Sequence, residues 1–299
     1  LRAGGNAADA AIATALAQTV VDPLMCGIAG FGTAAVYVPG TQTHEYFDFH
    51  SPAPLASRED MWSSLLEGET KDGFGFILKG RVNDIGAQSI ATPTTLKGLE
   101  AMHSAHGRIP WKDVVAPAIQ WATDGFFVRP GMHSFWIDEP MAGRASNLER
   151  LNYTEDGRAL YCKADGTPKS IGTPLKNLNF ASVLRQIAEE GSNPFYKGDL
   201  AKKMVDHIQS LGGLLDLKDL ESYAVQRTKP LVGTYRDRTV TTNQPPRGGA
   251  MLLQMLNILE SFDLAEVEHN SPTYLKLLSE AMKYATASKD RHLGDPSFV

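Results

Sequence analysis

A helix-rich, layered α/β or α+β fold is what this amino-acid sequence predicts. Three observations carry the prediction. Stretches with apolar residues three and four apart recur along much of the chain and mark helices. Alternating runs rich in aromatic and β-branched residues are few enough to belong to one sheet. The 299 residues, 42% of them hydrophobic, supply a large core, as one big domain or two small ones.

Gly4-Gly5-Asn6 precedes an alanine-rich helix from Ala7 to Val21. Asn6 is placed to cap it, and Asp9 occupies the capping-box position near the positive end of the helix dipole. Asp9 is the only charge in that stretch, so the helix is expected to be buried, its alanines allowing close packing on a sheet. A glycine run, Gly27 to Gly32, opens a strand from Thr33 to Val38. Gly40 marks a turn, and Tyr46-Phe47-Asp48-Phe49 leads a second strand to His50, where Ser51, Pro52 and Pro54 break it. The two strands read as a hairpin beside a helix.

Residues 58 to 90 are mixed and loop-rich. Helices are expected at Thr94 to His106 and at Trp111 to Asp124. Residues 129 to 177, rich in Gly, Pro, Asn and charge, read as loops and short helices. Phe180 to Gly191 is helical, and Gly198 to Leu211 forms a strongly amphipathic helix stopped by Gly212-Gly213. A short helix starts at Asp216 or Leu217 and runs through Leu220. Arg238 to Thr242 is a strand. The turn Pro245-Pro246-Arg247-Gly248-Gly249 leads into a helix from Ala250 to Phe262, and Ser271 to Lys289 forms a last long helix. No internal repeat or low-complexity tract interrupts this order.

Charge and composition exclude several functions. Net charge is −5, with acids and bases spread along the chain, so no basic footprint for a nucleic-acid backbone exists. No apolar stretch reaches the roughly 18 residues of a membrane span. The two cysteines, Cys26 and Cys162, make neither a metal-spacing pattern nor a disulfide framework, and Cys26 is expected to be a free buried thiol. Leu1-Arg2 at one end and Phe298-Val299 at the other read as cuts, so a missing leader says nothing of compartment, periplasmic or secreted or cytoplasmic.

Few motifs carry chemistry on spacing alone. The glycines at 27, 30 and 32 follow a helix and open a strand, so they are not a dinucleotide fingerprint. They allow a backbone to pass close to another chain or a ligand, or they make a tight helix-to-strand turn. Gly248-Gly249 opens a helix whose free N–H groups suit an anion or oxyanion, although a plain turn explains them as well. His103 and His106, three apart with no third ligand, read as a solvated helix face rather than a metal site. Asn152-Tyr153-Thr154 matches a glycosylation acceptor, relevant only in a secretory eukaryotic setting. No nucleophile elbow, phosphate-binding loop or HExxH pair is present.

Seven blocks, in order, resemble the large subunit of the γ-glutamyltranspeptidase family of N-terminal-nucleophile hydrolases. They are GGNAADAAIATALA, GIAGFG, DGFFV, FYKGDLAKKM, GGLLDLKDLESY, PPRGGAMLLQMLNILESFDL and DRHLGDPSFV, and they run nearly end to end. The resemblance implies an αββα sandwich of α+β class, with residues 1–299 forming the single domain of a large subunit. It also implies a precursor that cuts itself in two, the new amino-terminal threonine of the small subunit then acting as nucleophile. This chain would hold no catalytic nucleophile and would need no metal or cofactor. Its partners would be the small subunit and a small-molecule amide.

His50 departs from the family. In the γ-glutamyl enzymes this strand ends in an arginine that grips the substrate α-carboxylate. Guanidinium is always charged and bidentate, whereas imidazole is mostly neutral at pH 7 and offers single bonds pointing apart. His50 is therefore expected to line the acyl pocket with altered specificity, with Gly30, Gly32, Gly248 and Gly249 as supports. Alternatively His50 is a strand-end residue and Arg58, Arg81 or Arg247 reads the carboxylate. SIATPTTLKGL also departs, with Ala91-Thr92 and Thr94 where the family has glycines, so the nearby loop is expected to differ. An acylase or small-amide hydrolase fits best. A true γ-glutamyltransferase on glutathione-like donors, a catalytically dead homologue and a stand-alone binding module are the alternatives.

Overall fold

A computed structural model describes residues 1–70, 75–140 and 143–298. Residues 71–74 and 141–142, inside two expected loop regions, and Val299, in the last quoted block, lie outside the described residues. The chain divides into two compact units, Leu1–Gly32 with Phe49–Val225 and Thr33–Asp48 with Gln226–Val299.

The first unit opens with α1 (Ala7–Val21), and the capping box is made as expected: Asn6 Oδ1 accepts from Asp9 N and Asp9 Oδ2 from Asn6 N. Its burial differs from expectation. Asp9, Ile12, Leu16, Thr19 and Val20 form one buried face, while Ala7, Ala11, Thr14 and Gln18 form an exposed stripe. Where a sheet was expected, α1's partners within this unit are two helices, α2 (Thr95–His106) and α3 (Trp111–Asp124). An alanine-rich surface lets a neighbouring helix approach closely as readily as a sheet.

The chain passes through β1 (Gly32–Val38) and β2 (Thr43–Phe49), which belong mainly to the second unit, and returns to a small antiparallel hairpin of β3 (Leu66–Glu69) and β4 (Phe76–Leu78). After α2 and α3 come β5 (Phe126–Phe127), α4 (Pro130–Ile137), α5 (Asn147–Asn152), α6 (Glu155–Tyr161) and β6 (Pro174–Leu175), with β5 and β6 paired antiparallel. Then follow α7 (Leu178–Glu190), α8 (Asn193–Tyr196), α9 (Asp199–Ser210) and α10 (Leu217–Ser222). α3 packs between α1 and α7. Ile12, Leu16, Val114, Ala118, Leu184 and Ile187 are fully buried and make the centre of this core.

In the second unit, β1 and β2 are neighbours in a three-stranded sheet completed by β7 (Gln226–Thr228), antiparallel to β2. β8 (Leu231–Tyr235) and β9 (Arg238–Thr242) form a hairpin closed by Arg236 and Asp237, both at positive φ, the geometry of a two-residue primed turn. α11 (Gly249–Glu260) packs on β8, where a Cβ on Gly233 would lie 2.8 Å from Leu253 Cδ2. α12 (Pro272–His292) packs on α11. Ser271 caps it, accepting from Tyr274 N, and Lys289, Arg291 and His292 sit at its negative end.

Candidate functional site

The candidate site is built from the end of β2. Phe49 is buried, and its ring is seated against two glycines. A Cβ on Gly98 would lie 2.2 Å from Phe49 Cγ, and one on Gly32 2.8 Å from Phe49 Cε2. A side chain at either position would displace the ring and the strand end with it. The next residue, His50, turns outward and is exposed. Its imidazole meets Phe31 edge to face, ring centroids 5.1 Å apart and planes at 88°.

Three segments of the first unit are stitched together here. Thr94 and Thr95 N–H groups both donate to the Gly30 carbonyl, at 2.9 and 3.0 Å, and Leu96 N donates to the Ile28 carbonyl. The fully buried Thr94 hydroxyl donates to the Phe49 carbonyl, with the Gly30 carbonyl as a second acceptor at 3.3 Å. Thr92 N donates to the Pro52 carbonyl, and the Ser51 hydroxyl to the Thr92 carbonyl. The glycine run, the loop after β2 and the entry to α2 thus form one hydrogen-bonded body. Of the two threonines standing where glycines were expected, Thr94 supplies part of that bonding through its hydroxyl, whereas Thr92 takes part only through its backbone, a difference invisible without the fold.

The four glycines expected as supports divide between the units. Gly30 and Gly32 lie in the first, and a Cβ on Gly30 would come within 3.2 Å of the Gly27 carbonyl and Thr95 Oγ1. Gly248 and Gly249 lie in the second, at the start of α11. Gly248 has open space where a Cβ would go, whereas a Cβ on Gly249 would meet the Asn243 carbonyl oxygen at 2.1 Å. Close packing accounts for glycine at 32 and 249, and leaves 248 to a different cause.

The three alternative cations all have carboxylate partners. Arg58 lies 3.7 Å from Asp60 on the surface, and Arg81 pairs with Glu149. Arg247 pairs with Asp48, both side chains largely buried. Cys26 and Cys162 are free thiols; Cys162 is buried, but Cys26 is only partly so, a correction. Burial, then the Asp22 charge, push the Cys26 thiol above its ordinary value, which suits an inert thiol rather than a nucleophile. His103 corrects the reading of a solvated face. Its Nε2 lies 2.9 Å from the Ile109 carbonyl and 3.7 Å from Asp9 Oδ1, and its ring packs on Trp111. Asn152 Nδ2 is engaged with the Leu148 and Gly166 carbonyls, so the glycosylation-like nitrogen is committed to holding α5.

Comparison with known proteins identifies the family. The γ-glutamyltranspeptidase family profile matches residues 1–299. The "Acylase ACY 1 proenzyme" of Pseudomonas sp. (strain V22) is 34% identical over 302 residues, covering 100% of this chain and 51% of that protein. The "Glutathione hydrolase proenzyme" of Escherichia coli (strain K12) is 34% identical over 301 residues, with 100% and 49% covered. The chain thus spans about half the length of the curated relatives it matches. The crystal structure of Helicobacter pylori γ-glutamyltranspeptidase superposes with a TM-score of 0.87 at 27% identity, over 100% of this chain and 80% of that one. Its fold is the N-terminal-nucleophile hydrolase type expected from the resemblance. By profile, sequence and fold, this chain belongs to the γ-glutamyltranspeptidase family.

Proposed function

We propose that this chain is the large subunit of a two-chain amidohydrolase or acyltransferase, one domain completed by a small subunit cut from the same precursor. The nucleophile is the amino-terminal threonine of that small subunit. Its hydroxyl adds to the amide carbonyl while its own α-amino group takes the proton. The tetrahedral adduct collapses, the amine leaves carrying a proton, and an acyl-threonine ester remains. Water or an acceptor amine then releases the acyl group.

The observation that carries the reading is His50, exposed at the end of β2 where the γ-glutamyl enzymes resembled here have arginine. Losing one charged, bidentate contact of about 2–3 kcal/mol weakens selection for a free α-carboxylate by roughly 30- to 150-fold. The acylase and the glutathione hydrolase are equally similar to this chain, so identity does not choose between them. The chemistry at position 50 favours an acyl group without that carboxylate.

The test is steady-state kinetics of the full-length protein on a γ-glutamyl anilide and on an acyl anilide lacking the carboxylate. Weak turnover of the γ-glutamyl compound is expected, and His50→Arg should lower its KM. A γ-glutamyl anilide turned over equally well or better would instead support a true γ-glutamyltransferase acting on glutathione-like donors, the reading that the glutathione hydrolase relative favours.

A further inference from the structure

We infer that Phe31 is a specificity-determining residue of the acyl site, and that with His50 it selects an aromatic acyl group. This rests on the reading of His50 given above and names the substrate class that reading leaves open.

The loop itself does not require a phenyl ring. Phe31 stands between two glycines: a Cβ on Gly30 would be tight, 3.2 Å from the Gly27 carbonyl and Thr95 Oγ1, and one on Gly32 would lie 2.8 Å from the Phe49 ring. Packing therefore accounts for glycine at 32 and favours a small residue at 30. Phe31 itself is 62% exposed, so no core of this chain asks for a phenyl ring there. Yet its mounting is rigid, because the Gly30 carbonyl beside it accepts from Thr94 N and Thr95 N. A large apolar side chain held on a fixed backbone beside a second ring loses little freedom on contact and is pre-organised for it.

The ring's orientation gives the contact its chemistry. Phe31 and His50 stand nearly perpendicular, 5.1 Å apart, so together they offer a corner made of one ring face and one ring edge. A third ring fits such a corner by stacking on the face or meeting the edge. A free α-carboxylate placed there would lose water against a phenyl group without a bidentate partner in exchange. The corner therefore favours an arylacyl amide, of phenylacetyl type, over both γ-glutamyl and short aliphatic amides.

The experiment compares full-length wild-type protein with Phe31→Ala, Phe31→Leu and His50→Arg. The substrates are the 4-nitroanilides of phenylacetic acid, acetic acid and γ-glutamate, and thermal melts are run beside the kinetics. Wild type should prefer phenylacetyl to acetyl in kcat/KM. Phe31→Ala should cut that preference by about 3- to 10-fold, the size of one edge-to-face contact, with a similar melting temperature. Phe31→Leu, which keeps apolar bulk, should retain part of the preference. An unchanged phenylacetyl-to-acetyl ratio in both variants overturns the inference. So does a large drop in melting temperature in both with the ratio intact, which would mean that the rest of the protein covers the ring. If His50→Arg shifts γ-glutamyl turnover while the Phe31 variants change nothing, the inference alone fails. If no variant shifts any preference, the placement of the acyl site at His50 fails with it.

Discussion

Thr92 and Thr94 are both buried and stand two residues apart, yet their hydroxyls have opposite meanings. Thr94 Oγ1 ties the entry of α2 to the end of β2 through the Phe49 carbonyl. Thr92 Oγ1 has no hydrogen-bond partner among the described residues. Removing a satisfied hydroxyl strands its buried acceptor, whereas removing an unsatisfied one ends a desolvation cost. Thr94→Val should therefore destabilise the protein by about 1–3 kcal/mol, and Thr92→Val should be neutral or mildly stabilising. Urea melts of the two variants check this; equal losses would mean that Thr92 has a partner as well. Little of this scale was legible beforehand. His50 stood out because a titratable residue closed an aromatic strand. Phe31 was not singled out at all, because the glycines on either side of it carried the only signal in that run. The pairing of Asp48 with Arg247 joins positions far apart in the sequence, and spacing carries no trace of it.

Among elements, α1 shows how a short local pattern becomes a long-range anchor. Asp9 closes the capping box, but its carboxylate also accepts from Arg108 N, at 3.1 Å for each oxygen, and so fixes the connection between α2 and α3. Burial alone would raise its pKa. The backbone N–H bonds of Asn6, Arg108 and Ile109, with the His103 charge, outweigh that and hold it below its ordinary value of 3.8. A carboxyl lowered in the folded state stabilises above the unfolded pKa, and the contribution is lost as pH falls through the folded one. Asp9→Ala should cost about 1.5–3 kcal/mol at pH 7, the worth of charge-assisted bonds to a buried group. The gap from wild type should narrow below about pH 4 as the wild-type carboxyl protonates. Melts at pH 7 and pH 3 check it, and a gap independent of pH would assign the effect to packing. Most long helices were legible from periodicity, because a buried face must recur every three to four residues. β8 was missed because Arg236-Asp237 is not a customary sequence for a primed turn and Gly233 weakens the strand signal; its reason is Leu253 of α11. β7 is three residues long and exists through its pairing with β2.

For the whole molecule, family membership and the half-length match to two proenzymes set the expectation. The full-length protein should purify as two chains, the smaller beginning with threonine. Replacing that threonine by alanine should leave one uncut polypeptide, read by intact mass and amino-terminal sequencing. Normal cutting in the variant would refute self-processing. The sequence by itself determined the helix-rich class, the order of the long elements, the capping box of α1 and the family, since these follow from local periodicity, caps and ordered blocks. It also singled out position 50 by its chemistry. Only the tertiary structure decided which glycines are forced by a ring, which threonine holds the strand end, that His103 is structural, and that Phe31 stands open against His50. Those outcomes depend on contacts between residues distant in the chain, and a pattern of period two or 3.6 reports which side of an element is buried, not what it meets.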